Sequence, residues 1–147
     1  MRLRFGADLH PATQAEAEAF QDAIGLPHRD DAPRGFAPAA ALWVRDRDLL
    51  IGQGVALECT DRALAARLRP EGASPALRVG RIDRFGVRPE YREAGVEERL
   101  MRALVRRFAG AGPRRSDALL FVGEMMAPVY ASTVEGMGAR LAEESLR

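Results

Sequence analysis

The stretch V-R-P-E-Y-R-E-A-G-V-E-E-R-L, residues 87–100, constrains this chain more than any other. A run with β character, residues 78–87, enters a short proline-containing turn and is followed by a segment with helical periodicity. Val96, Leu100, Ala103, Leu104 and Phe108 fall on one apolar stripe, with Glu97, Glu98, Arg102, Arg106 and Arg107 mostly outside it. The pattern predicts a helix over residues 92–109, stopped by Gly110 and Gly112-Pro113. A strand that feeds a helix through such a turn leaves several backbone N–H groups without intrahelical partners. Those donors, with the roughly +0.5 charge at the helix N-terminus, suit a phosphate group.

The remaining elements arrange themselves around this unit. Leu3 and Phe5 alternate with Arg2 and Arg4 as a weak edge strand. Residues 11–24 read as a helix, with Thr13 as N-cap, Glu16 three residues on, and Gly25 and Pro27 ending it. Residues 26–38, with three prolines, read as loop. Residues 40–44 and 49–58 form two strands of a hairpin joined by R-D-R-D, and Gly52 and Gly54 hint at a bulge or a close backbone approach. A short helix over 61–68, a loop over 70–75, a long strand over 76–87 and a buried strand over 118–122 follow. A short helix over 127–135 and a last strand from Leu141 complete the reading. The result is an α/β (mixed α+β) fold, a central mixed β-sheet with helices on both faces, in a single domain over residues 1–147.

Composition excludes several classes of function. A net charge of +1 lacks the basic excess that binding along a nucleic acid requires. All 22 basic residues are Arg, which reads first as coding bias, although Arg also makes planar phosphate contacts. The lone Cys59 rules out an internal disulfide and fits a reducing compartment. The longest uncharged apolar run, residues 35–44, contains Pro38 and falls far short of the roughly 20 residues of a membrane helix. The start lacks a secretory apolar core, so the expected location is cytoplasmic, without membrane partners. His10 and His28 lie far apart, with no Cys or carboxylate at ligand spacing, so no metal is expected.

The spacing V-x-P-x-Y-R-x-x-G, formed by Val87, Pro89, Tyr91, Arg92 and Gly95, resembles the signature of the GNAT superfamily of acyl-CoA-dependent N-acyltransferases. The element order resembles that family over nearly the whole chain, which implies a GNAT-like fold. The resemblance implies that the central strand parts from its neighbour and that acetyl-CoA, or another acyl-CoA, lies in the opening. Carried over by position, Phe85, Gly86 and Val87 would supply the backbone for the pantetheine arm. Arg92, Glu93, Ala94, Gly95, Val96 and Glu97 would cradle the pyrophosphate. Glu97 departs from the pattern, because the family places Gly or Ala there.

A second landmark, the helix after the fifth strand, normally supplies a tyrosine that protonates the departing thiolate. Gly138 matches its glycine, but the tyrosine position falls on Val134, and Ala139 stands where an aromatic is usual. Tyr130, one helical turn earlier, is the best remaining general acid. Strand alternation puts Asp83 on the face of Phe85 and Val87, where it could serve as a base or pair with Arg81 or Arg84. Cys59 reads as an inert thiol, and Trp43 as core or as the lining of an acyl pocket. The implied activity is transfer of an acyl, above all acetyl, group to a primary amine, a small molecule or a protein amino group. The alternative is a catalytically inactive sensing or interaction module, whose incomplete sheet edge leaves room for a homodimer.

Overall fold

The computed structural model of the chain describes residues 1–28, 32–110, 118–122, 127–131 and 139–141, with only the backbone described from residue 119 onward. The strands are β1 (Leu3–Gly6), β2 (Phe36–Asp46), β3 (Leu49–Cys59), β4 (Arg78–Val87), β5 (Ala118–Val122), β6 (Ala127–Ala131) and β7 (Ala139–Leu141). The helices are α1 (Gln14–Ile24), α2 (Arg62–Leu68) and α3 (Val96–Gly110), with a 3-10 turn over Pro89–Ala94. One sheet carries all seven strands in sequence order. Every neighbouring pair is antiparallel except β4 and β5, which run parallel. A parallel pair needs a crossover, and α3 supplies it.

Local chemistry accounts for the element ends. Thr13 Oγ1 accepts from the Glu16 amide at 3.0 Å, and Glu16 reaches back to the Ala12 amide at 2.8 Å, which starts α1 as the sequence predicts. Gly25 closes that helix at φ 77°. Asp61 caps α2 through the Leu64 amide at 3.1 Å. β2 begins four residues before the expected strand and includes Pro38. β1 pairs only with residues 43–46 of β2, so the missing N–H of Pro38 removes no bond on that edge.

The two sheet faces carry different helices. On one, α3 lays Val96, Leu100, Leu104, Val105 and Phe108 over Leu42, Val44, Ile51, Ala56, Ile82 and Val87. A Cβ on Gly54 would meet Leu104 at 2.9 Å, so the helix seats against bare backbone. On the other face α1 buries Phe20. Its last residue, Ile24, covers Gly86, the cross-strand partner of Gln53. Helices on both faces of a mixed sheet are therefore observed.

Two arginines pin this arrangement. Arg45 is buried and donates to Leu9 O, His10 O and Asp48 O while holding Glu16 bidentately at 2.8 and 3.1 Å, which ties the β1–α1 loop to the hairpin. Arg78 pairs with Glu58 at 2.7 Å, donates to Phe108 O at 2.6 Å, and stacks over the Phe108 ring. It thereby meets the carbonyl-rich end of α3 with positive charge.

Three expectations are corrected. Residues 127–131 are strand β6, not the start of a helix; they pair with β5 over five residue pairs, and that long-range pairing overrides the local helical pattern. Residues 132–135 of the expected helix lie outside the described residues. The last strand begins at Ala139, two residues before the expected Leu141, and the added β6 gives the described sheet seven strands where the sequence predicted six. The long helix starts at Val96 instead of Arg92, because Gly95 at φ 72° breaks it from the 3-10 turn.

Candidate functional site

The junction between β4 and α3 is built by three features of the sequence. The first is a bulge in β4. Val55 opposes Arg84, but Ala56 opposes Ile82, so Asp83 is an extra residue in the β4 strand. The second is the end of the parallel ladder, which joins β4 and β5 only from Arg78↔Ala118 to Ile82↔Val122. Beyond it β4 continues to Val87 with β3 on one edge and no strand partner on the other among the described residues. The third is the left-handed Gly95. An added Cβ there would meet nothing within 4 Å, so the space beside it is open.

These features test the fit of a diphosphate at the helix start. The first intrahelical bond runs from the Arg99 amide to Gly95 O at 3.2 Å. The amides of Val96, Glu97 and Glu98 precede it and fall outside the helical ladder. Glu97 does not stand alone beside them: its Oε1 lies 3.2 Å from Arg92 Nε, and both side chains are about half exposed, at 46% and 51%. Arg92 also reaches Val87 O at 3.4 Å. The carboxylate that breaks the family pattern is thus offset in part by an arginine from the same expected cradle. The open backbone donors fit a phosphate, and Arg92 screens part of the negative charge beside them.

Tyr91 anchors the turn before that helix. Its hydroxyl donates to Asp46 Oδ2 at 2.6 Å, tying the turn to the end of β2. The bond holds the Asp46 carboxyl below its usual range and raises the Tyr91 hydroxyl above its own. Tyr91 is therefore committed to structure, which leaves Tyr130 as the other tyrosine of the chain. Tyr130 lies on β6 at the register position opposite Leu119; its side chain falls outside the described residues.

The bulge changes where the expected base sits. Alternation alone would put Asp83 on the face of Phe85 and Val87. Phe85 packs toward α3 and Val87 is buried under it, whereas Asp83 lines a cavity on the α1 face together with Arg84. One extra residue resets the alternation. The Asp83 side chain is only 6% exposed, and Arg81 stands 3.8 Å away, the ion pair weighed from the sequence. Gly86 does not open toward that face, since Ile24 fills the space above it.

That cavity, of about 260 Å³, is the feature the sequence reading missed. Gln53 enters it from β3 and Trp43 from β2, paired across the ladder. The clue was legible, since Gln53 is the one polar residue in the apolar run L-L-I-G-Q-G-V-A-L. Among the described residues no group of three or more His, Cys, Asp or Glu could hold a metal ion, and no helix is long and apolar enough to cross a membrane.

The element order and the parting of β4 from β5 beyond Ile82 agree with the GNAT-like fold that the resemblance implied. No protein-family model and no curated protein matches the chain. Solved structures similar to it in fold include the following two. One is the loading GNATL domain of CurA from Lyngbya majuscula, at 13% identity and a TM-score of 0.47, with 82% of this chain covered. The chain spans 63% of the length of that domain. The other, from Exiguobacterium sp. 255-15, is named a "putative acetyltransferase"; identity is 12%, the TM-score 0.49, and coverage 99% of this chain and 97% of that one.

Proposed function

We propose that the chain is an acyl-CoA-dependent N-acyltransferase that moves an acyl group, in the simplest case acetyl, onto a primary amine. The observation that carries this reading is the edge of β4 beyond Ile82, which has no strand partner among the described residues and leads to the open amides after Gly95. A bound acyl-CoA supplies the thioester carbonyl. Val96, Glu97 and Glu98 amides, with Arg92 and the flanking Glu93 and Ala94, would face its diphosphate. Phe85, Gly86 and Val87 would offer main-chain groups along the strand edge. A main-chain N–H near Val87 would stabilise the developing oxyanion.

The chemistry balances without an oxidant or metal. The neutral amine nitrogen forms a bond to the carbonyl carbon, and the carbon–sulfur bond breaks. The amine loses a proton and the leaving thiolate gains one. Asp83, at the bulge where β4 leaves the ladder, is the carboxylate nearest to the strand edge in sequence and the proposed acceptor of the first proton. Tyr130 is the proposed donor of the second. Isothermal titration with acetyl-CoA and longer acyl-CoAs tests the reading: saturable binding supports it, and no heat or thermal shift at millimolar ligand defeats it.

The Arg92–Glu97 pair favours a second reading, a GNAT-like module without turnover, because it sets a carboxylate among the phosphate donors. Binding of coenzyme A without acyl transfer to any amine in a broad panel would favour the module.

A further inference from the structure

Gln53 carries the one buried side-chain polar atom without a hydrogen-bond partner among the described residues. The residue is 4% exposed, and the unmet atom, Oε1, can only accept. It stands in the wall of the 260 Å³ cavity under α1, which has room for more than one water. Trp43, Val55 and Leu57 on the sheet, with Pro38 and with Ala17 on the helix, make much of the remaining wall apolar. The two charged residues of the wall are already engaged: Asp83 stands 3.8 Å from Arg81, and Arg84 donates to Pro27 O. What the cavity offers a ligand is therefore an apolar surface and one neutral acceptor.

We propose that this cavity binds a small neutral alcohol, an apolar ring or chain with one hydroxyl, whose O–H donates to Gln53 Oε1. A hydroxyl also accepts, and Gln21 on α1, itself 9% exposed, brings an amide donor group to the same cavity. The hydroxyl replaces the bond that a water on Oε1 would make. The apolar body displaces less well-held waters from beside Trp43, Val55 and Leu57, which favours the ligand over water. An ion would lose its hydration here without gaining a counter-charge. The volume is below the roughly 300–1,000 Å³ of sites for drug-sized ligands, which sets the scale at a single ring. None of the residues proposed to hold coenzyme A lines the cavity, so the site stands independently of acyl transfer.

Trp43 is the sole tryptophan of the chain and stands in the cavity wall, so its indole N–H resonance reports occupancy at a known place. The test follows that resonance in the isotope-labelled full chain at pH 7, without coenzyme A. Cyclohexanol, cyclohexanone, cyclohexylamine and cyclohexanecarboxylate are added in separate titrations; the ketone keeps the ring and lacks the donor. The expected result is a saturable shift with cyclohexanol, at a Kd about five- to tenfold below that of cyclohexanone, the worth of one neutral hydrogen bond. Both ions bind more weakly than the alcohol. Gln53→Met removes the acceptor at similar volume and brings alcohol and ketone to equal affinity. Ala17→Leu narrows the cavity and weakens both without touching a polar group. The proposal is overturned by any of three results: no saturable shift with cyclohexanol, a ketone or ion that binds as tightly, or a preference for the alcohol that survives in Gln53→Met. If Gln53→Met does not fold, undiminished alcohol binding in Ala17→Leu overturns it instead. Alcohol binding in a protein that gives no heat with acetyl-CoA keeps this site and sinks the transferase. The reverse pattern does the opposite.

Discussion

Replacing Glu97 by alanine should tighten coenzyme A binding while slightly lowering the stability of the free protein. Glu97 lies in the first turn of α3, beside the amides proposed to receive phosphate, and its carboxylate is held 3.2 Å from Arg92. The pair itself is half exposed and contributes well under about 1 kcal/mol. Its charge matters more. Two unit charges about 4 Å apart repel by about 1 kcal/mol in water and about 4 kcal/mol at an effective dielectric of about 20. With 46% of the side chain exposed, the value falls toward the watery end, about 1–2 kcal/mol. That corresponds to roughly 5- to 30-fold tighter coenzyme A. The substitution also frees Arg92 to meet a phosphate. Loss of an acidic residue from the first turn costs about 0.3–1 kcal/mol of dipole stabilisation, partly offset by the better helix propensity of alanine. Isothermal titration at low salt, paired with thermal unfolding of the free protein, reads both effects. A folded Glu97→Ala protein that binds coenzyme A no more tightly than the parent refutes the argument. Arg92→Ala should weaken binding in the same assay.

Three further outcomes follow from contacts away from the junction. Arg45→Met should cost about 2–4 kcal/mol in denaturant unfolding, since it strands the carbonyls of Leu9, His10 and Asp48 and leaves Glu16 without its cation. The Arg45 guanidinium and the Ala12 amide lower the Glu16 pKa from 4.5 to about 2. The unfolded chain therefore binds the extra proton between those values, and stability present above pH 4.5 is lost as pH falls toward 2. Allowing for the exposure of Glu16, that loss is about 1–2 kcal/mol, and Glu16→Gln should flatten the pH profile of unfolding. Tyr91→Phe should remove a phenol that titrates above the ordinary tyrosine range in an absorbance titration, because Asp46 raises the Tyr91 pKa.

The elements that the sequence shows clearly are those whose signals are local. Thr13 with Glu16, Gly25, and the stripe of Val96, Leu100, Leu104 and Phe108 each report a geometry settled within a turn or two of the chain. What escapes is decided at a distance. β6 is a strand because β5 offers it an edge, and nothing in A-P-V-Y-A states that by itself. The face of Asp83 depends on one bulged residue, and period-2 counting has no means of finding a bulge without a glycine to mark it. The site divides in the same way. Gly95 and its neighbours are contiguous and were legible, whereas the cavity gathers Ala17, Trp43, Gln53 and Asp83 from four separate elements.

The strictly sequential sheet has a consequence for biosynthesis. β1 to β4 form a meander whose partners are adjacent in the chain, so the first four strands can pair as they leave the ribosome. Until α3 follows, Leu42, Val44, Ile51, Ala56 and Ile82 form an apolar surface that faces water. A nascent chain stalled at Val87 would present that surface to chaperones, and the fourteen residues from Val96 to Ala109 are what conceals it.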